Sequence, residues 1–228
     1  DKRWIDERLA YFIARSEVWQ DLGPRMVAVP GGAWRSPAGV AHELPAVYYA
    51  GDAEVTCAEW DEFVRATSRA RPRDFPGPTD DPVRMITLAD VEAFCAWRSR
   101  RPDGKPRRVE FRLPTEAEWE RAARAAAGTE YPWGANFEDW RADYAAVKGV
   151  ISRVRAFQKD KNEWGLYDLV GNVQELTASR RDGRLVVKGG SIATTRAASG
   201  ASAAALVRPG DEASPTIGLR VFAFERAR

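Results

Sequence analysis

Near Gly128 the sequence changes texture. Upstream of it, apolar residues recur at helical spacing. Downstream, long stretches of glycine, asparagine, aspartate and tryptophan carry little periodicity. Helices early and glycine-punctuated segments late read as an α+β fold with an unusual amount of loop.

The upstream helices are marked by their first turns. Thr56 with Glu59, Thr87 with Asp90 and Thr115 with Glu118 have the spacing of a capping box. In that motif the threonine caps the helix and the acid reaches back to the cap. Trp60, Phe63 and Val64 continue the first pattern, and Val91, Phe94 and Trp97 the second. A proline- and aspartate-rich loop, 71–82, lies between them. A further helix is expected over 4–22, where Trp4, Ile5, Leu9, Phe12, Ile13, Trp19 and Leu22 trace one face and Gly23-Pro24 stops it. Strands are expected at 26–29, 46–50, 185–188 and 219–224, with a turn at Pro30-Gly31-Gly32. An Ala/Ser/Thr-rich segment, 192–205, separates the last two. No repeat or linker divides the chain, so 1–228 is expected to be a single domain carrying 1–23 as an added N-terminal helix.

Charge excludes some functions. Thirty-five basic residues against 33 acidic ones leave a net charge of +2. That is no basic field for nucleic acid. The arginine runs at 98–101 and 107–108 are read as solvated surface. No stretch approaches the roughly 18–20 apolar residues of a membrane helix, so no direct membrane insertion is expected. No signal-peptide pattern is found from Asp1 onward, and a leader or anchor trimmed ahead of Asp1 leaves the compartment open. Cys57 and Cys95 match no zinc or CxxC spacing, and their apolar surroundings favour buried free thiols over a disulfide.

Seven blocks in order carry a family resemblance. They are Met26 through Gly32, Glu54-Val55-Thr56 through Phe63, and Arg112-Leu113-Pro114-Thr115-Glu116-Ala117-Glu118-Trp119-Glu120. Tyr131-Pro132-Trp133-Gly134, Gly165 through Val173, Lys188-Gly189-Gly190-Ser191 and Gly218-Leu219-Arg220-Val221 complete them. Across about 25–225 the chain resembles the formylglycine-generating-enzyme (sulfatase-modifying-factor) family. The resemblance implies that family's elaborated C-type-lectin-like fold, low in regular secondary structure.

It also locates a loss. Active members oxidise a sulfatase cysteine with two cysteines that bind copper, three and eight positions after the serine of the Gly-Gly-Ser block. Here those positions hold Thr194 and Ser199. Hydroxyls cannot replace thiolates toward a soft copper ion. Cys57 and Cys95 lie elsewhere; Cys95 falls where members often carry a structural cysteine whose partner position is here Val221. Other departures agree: Gln174-Glu175-Leu176 replaces Trp-Glu-Trp, Ile192 replaces a tryptophan, and Ala205 an arginine. A second family branch uses non-haem iron held by three histidines, whereas this chain has only His42, read as structural. No copper, no iron and no catalytic residue are therefore expected, and the chain is read as a pseudoenzyme.

The resemblance implies one retained metal. Asp168, Gly171, Val173 and Glu175 match the family's calcium turn, with side chains from the two acids and carbonyls from the other two. Calcium takes about six to eight oxygens, which such a turn can supply. The bland alternative is a carboxylate pair satisfied by backbone amides. A second family site would involve Asp143, but the loop after it is shortened.

With the thiols gone, the expected function is recognition of another protein. Non-catalytic relatives include regulators tied to bacterial Ser/Thr kinases, such as the periplasmic regulator of type VI secretion. The partner implied is an outer-membrane or periplasmic component of such a pathway, and the location the periplasm. The binding residues would be Ser191, Ile192, Thr194, Thr195, Arg196 and Ser199, with Trp4, Phe12 and Trp19 as a partner helix. Two alternatives are carried: an enzyme of different oxidative chemistry, as in siderophore maturation, and a retroelement-diversified ligand-binding protein. The shortage of asparagine and tyrosine between Ile192 and Ile217 weighs against the latter.

Overall fold

The computed structural model describes residues 18–138, 150–195 and 198–226. Of the N-terminal helix, Trp4 and Phe12 lie outside the described residues. The described chain begins with α1 (Val18–Leu22). The arginines read as solvated surface do more than that. Asp21, 3% exposed, accepts two hydrogen bonds of 3.0 Å from Arg101 and one of 2.9 Å from the Arg108 amide. Arg107 donates to the Asp21 carbonyl at 2.7 Å. Burial alone would raise the Asp21 pKa, but these donors hold it below the usual carboxylate range.

β1 (Met26–Arg35) and β2 (Ala41–Gly51) form a long antiparallel hairpin. The expected turn at Pro30-Gly31-Gly32 is instead a bulge within β1, and the chain reverses between Arg35 and Ala41. The packing shows why glycine stands there. A Cβ on Gly31 would sit 2.0 Å from the Pro45 carbonyl oxygen, so the strands can approach only without a side chain.

All three capping boxes form, with threonine and acid each meeting the other's backbone amide. They start α2 (Cys57–Thr67), α3 (Leu88–Arg98) and α4 (Glu116–Arg124). β3 (Val109–Arg112) precedes α4. Beyond the irregular segment come β4 (Gln174–Arg181), β5 (Arg184–Lys188), β6 (Ala204–Val207), β7 (Ile217–Gly218) and β8 (Phe222–Glu225). The expected strand at 219–224 is shorter, because 217–218 pairs with β4 and only 222–225 joins the other sheet.

Two four-stranded sheets result, ordered β1-β2-β8-β3 and β6-β5-β4-β7; the β4–β7 pair is parallel. One core gathers Trp60, Phe63 and Phe94 from α2 and α3, with the Trp60 and Phe94 rings stacked at 5.0 Å. Another packs Trp119 and Ala122 of α4 against Tyr48 and Phe222. Both cysteines are buried and free, as expected. Helices beside mainly antiparallel sheets make the fold α+β.

Candidate functional site

Lys188-Gly189-Gly190-Ser191 leaves β5 and turns the chain across α4. Both glycines have positive φ, +85° and +71°. Space is tight as well: a Cβ on Gly189 would lie 3.2 Å from the Trp119 ring. One on Gly190 would lie 2.8 Å from Thr194 Oγ1 and 2.9 Å from Ser199 Cβ. Thr194 and Ser199 therefore converge on one glycine, as the sequence reading requires of paired positions.

Their chemistry is already occupied in part. Thr194 Oγ1 accepts from the Ser191 amide at 2.9 Å and donates to the Ser191 carbonyl at 2.8 Å, closing a small turn. Ser191 Oγ accepts from the Ala193 amide at 3.2 Å. Ser191 and Ser199 are buried, Ile192 and Thr194 half-buried, and Thr195 exposed. Arg196 lies outside the described residues. This corner can offer hydroxyls and main-chain groups; it holds no thiolate and no imidazole.

A charged network that the sequence reading missed anchors the corner. Lys188 is fully buried, its Nζ 3.5 Å from Glu116, 3.6 Å from Glu120 and 3.4 Å from the Ser202 carbonyl. Burial lowers its pKa, and the two glutamates oppose that. Arg124 ties Glu120 to Glu130 at 2.8 Å each and also meets Ser202. Glu130 in turn accepts from the Ser202 amide at 2.9 Å. Lys188 was visible as part of the Lys-Gly-Gly-Ser block. No local pattern pointed to Glu130.

Behind the corner runs the turn expected to bind calcium. It is joined to the Gly-Gly-Ser segment by Gly171 N–H to the Gly189 carbonyl (2.8 Å) and Ile192 N–H to the Asn172 carbonyl (3.1 Å). Asp168 and Asn172 adopt positive φ, +54° and +51°. The two acids expected to give side chains to calcium have different neighbours. Glu175 is fully buried, and both its oxygens accept from Arg220, at 2.7 to 3.0 Å. Trp119 Nε1 adds a bond of 2.5 Å. Arg220 completes its fan on the carbonyls of Gly51 (2.9 Å) and Tyr167 (2.6 Å). The Glu175 carboxylate is thus held by a guanidinium.

Asp168 faces two other acids, Asp160 from the same irregular segment and Glu54 from far earlier in the chain. All three are at most 4% exposed. Asp168 Oδ2 accepts from the Arg155 amide at 2.6 Å, and Glu54 Oε1 accepts from Asn172 Nδ2 at 3.1 Å. Glu54 Oε2 and Asp160 Oδ1 find no donor. Burial, then the charge of Asp168, pushes Glu54 well above the carboxylate range and Asp160 up to about 9. Burial raises Asp168 as well, against the Arg155 amide and Arg220.

Hard oxygens, excess negative charge and two orphaned buried acceptors suit a cation such as calcium. Among the described residues, no three acid, histidine or cysteine side chains are already arranged to hold a metal ion. A bound ion would therefore draw on Asp168 and the turn carbonyls, with Glu54 and Asp160 reorienting toward it. Asp143 lies outside the described residues. His42 stacks on Trp34 at 5.4 Å between centroids, consistent with a structural role. Trp19 is 42% exposed and meets Tyr49 edge-on. No helix among the described residues is long and apolar enough to cross a membrane.

Comparison with known proteins extends this picture. The profile of the sulfatase-modifying factor enzyme 1-like domain matches residues 14–223. The bovine (Bos taurus) inactive C-alpha-formylglycine-generating enzyme 2 is 41% identical over 111 residues, 43% of this chain and 33% of that protein. The hercynine oxygenase of Mycolicibacterium smegmatis is 30% identical over 153 residues, 64% of this chain and 31% of its own length. The serine/threonine-protein kinase pkn1 of Chlamydia pneumoniae is 33% identical over 101 residues, 44% of this chain and 14% of the kinase. The chain thus spans about a third of the length of the first two of these curated relatives. The structure of PvdO from Pseudomonas aeruginosa superposes with a TM-score of 0.69 at 21% identity, covering 88% of this chain and 94% of that one. That likeness shows the shared fold.

These relatives correct one expectation. Loss of the cysteine pair led to the reading that the chain is not an enzyme. An oxygenase among its relatives overturns that inference. The absent thiols remove copper–thiolate chemistry, and enzymatic chemistry on this fold is wider than that.

Proposed function

Because this chain belongs to the sulfatase-modifying factor enzyme 1-like family, we propose that it recognises a polypeptide at the Thr194/Ser199 corner. On this reading it is a regulatory component of a pathway run by a bacterial Ser/Thr kinase, such as type VI secretion. The observation that carries the reading is the chemistry of the corner. Ser191, Thr194 and Ser199 surround Gly190 with hydroxyls, which do not hold a soft metal, and beside them Thr195 is exposed with a hydroxyl that can hydrogen-bond a peptide. A kinase relative that matches this domain supports the pathway assignment. The partner would be a periplasmic or outer-membrane protein, and exposed Trp19 offers it an aromatic contact.

The same reading includes a structural calcium ion at Asp168. It would neutralise Glu54 and Asp160 and so stiffen the turn that bonds to Gly189 and Ile192. A second reading, oxidative chemistry of the siderophore-maturation kind, is favoured by one observation: an oxygenase relative aligns with 64% of this chain.

Metal analysis of the purified chain, with melting curves in calcium and in chelator, separates the two. About one equivalent of calcium, a lower melting point on chelation and no copper or iron is the expected result. Stoichiometric copper or iron would sink the recognition reading in favour of the second. A photocrosslinker in place of exposed Thr195 then reports whether a periplasmic protein sits at the corner in cells.

A further inference from the structure

Each sheet ends in two edge strands, β1 and β3 in one and β6 and β7 in the other. An edge offers N–H and C=O groups to any extended chain that reaches it. Three of the four edges are blunted by the chain itself. On β1 a bulge follows Pro30, which has no amide to donate, and the Pro30 carbonyl accepts from Arg121 Nε at 3.0 Å. On β3 the Phe111 amide donates to Ser99 Oγ at 2.8 Å. β7 is only two residues long, and its Ile217 amide turns back to the Ser214 carbonyl at 3.4 Å.

β6 is different. Ala204, Ala205, Leu206 and Val207 carry no proline and no charge, and their register with β5 is unbroken. The ladder shows which of their groups face outward. The Val186 carbonyl points to β4, where Thr177 Oγ1 donates to it at 2.8 Å. Main-chain groups alternate in direction along a strand, so Leu185 and Val187 turn theirs to β6. Their partners there are Val207 and Ala205. Ala204 and Leu206 therefore turn N–H and C=O away from β5. No donor or acceptor among the described residues meets them.

The side chains leave this edge accessible. Ala204 is exposed and Leu206 half-buried, while Ala205 and Val207 pack onto the core. Alanine at 203, 204 and 205 puts only methyl groups along the first half of the edge. The edge also begins at the hydroxyl corner, because Ala204 lies opposite Lys188, the residue that leads into Gly189-Gly190.

We propose that β6 takes up an extended segment of the partner polypeptide as an added strand, bonded to the main chain of Ala204 and Leu206 and continuing to Thr195. This rests on the reading that the corner recognises a polypeptide. The segment is apolar or β-branched at alternate positions, where it meets the Ala204 and Leu206 side chains. Main-chain bonds supply the affinity in this mode, and the alternate side chains supply the selectivity. A second copy pairing through the same four residues would bury far less than the roughly 1,200 Å² of a stable interface. A peptide that continues to the corner gains contacts in both places.

The probe is a phage-displayed pool of random peptides of about twelve residues, long enough to span β6 and the corner, panned on the whole chain. The peptides it enriches should lose at least about tenfold in affinity on Ala204→Pro and on Leu206→Pro. Proline there removes an outward amide that the β5 ladder does not use, so melting curves should stay near wild type. Amide exchange gives a second reading. In the free chain the Ala204 and Leu206 amides should exchange fast and those of Ala205 and Val207 slowly, and bound peptide should protect the first pair. Thr195→Arg separates the strand from the corner. Affinity lost on Thr195→Arg but kept in both proline variants would overturn the strand and leave the corner reading standing. Loss in the proline variants alone would support the strand and sink the corner reading. A pool that enriches no peptide would overturn the proposal. So would a dimer in sedimentation that Leu206→Pro disperses, which would assign the edge to a second copy.

Discussion

Two buried acidic clusters lie side by side behind the Gly-Gly-Ser corner, and they have been resolved in opposite ways. Around Glu175 both oxygens meet a donor, from Arg220 or Trp119, and the guanidinium spends its remaining bonds on backbone carbonyls. Around Asp168 three carboxyl groups meet with too few donors, and Glu54 Oε2 and Asp160 Oδ1 are left over. The Glu175 cluster is closed and structural. The Asp168 cluster is unfinished on its own, because a low-dielectric site with three acids must take up protons or a cation. The two acids anticipated at one metal turn thus have different surroundings: Glu175 is held by a guanidinium, and Asp168 meets Glu54 and Asp160.

The largest effect should come from opening the strut. Arg220→Met leaves Glu175 buried with only Trp119, which should cost about 3–5 kcal/mol in urea denaturation. A cost below about 1 kcal/mol would break the comparison, since Glu175 would then have found a proton or an ion of its own. A smaller effect is expected at the other cluster, with the reverse sign. Calcium about a hundredfold above its dissociation constant should stabilise the wild type by about 2.7 kcal/mol. Glu54→Gln with Asp160→Asn should remove that gain, and in chelator the double variant should be more stable than wild type by about 1–2 kcal/mol, read as a rise in melting temperature. An unchanged calcium response would place the ion away from Glu54 and Asp160.

How much of this was legible depended on whether the signal was local. The capping boxes at Thr56, Thr87 and Thr115 were readable because donor and acceptor lie three residues apart, and all three formed. Thr194 and Ser199 could be matched as a pair because both hang from one Gly-Gly-Ser block, and they do meet at Gly190. Glu54 and Asn172 are 118 residues apart, and Arg220 and Glu175 are 45 apart. No periodicity reports such pairings. The strands β4 and β6 escaped notice because tertiary pairing, rather than alternating hydrophobicity, makes them strands: Arg180, Arg181 and Ala204 are poor strand residues taken alone. At Pro30-Gly31-Gly32 the turn chemistry was genuine but the outcome was a bulge, because Pro45 on the partner strand claims the space above Gly31.

Asp21 extends the comparison to a third buried carboxylate, one resolved like Glu175 but at the edge of the molecule. Its donors are Arg101, the Arg108 amide and, at its carbonyl, Arg107. Its pKa is lower folded than unfolded. A depressed acid contributes stability above its unfolded pKa, near 3.8, and loses that contribution as pH falls through the lower folded value. Asp21→Asn should therefore cost about 1 kcal/mol at neutral pH. Urea titrations of wild type and variant should converge as pH drops below about 4. A gap that persisted at low pH would mean that shape and hydrogen bonding, rather than the carboxylate's charge, hold α1 against the arginines, and Asp21 would then no longer belong with Glu175.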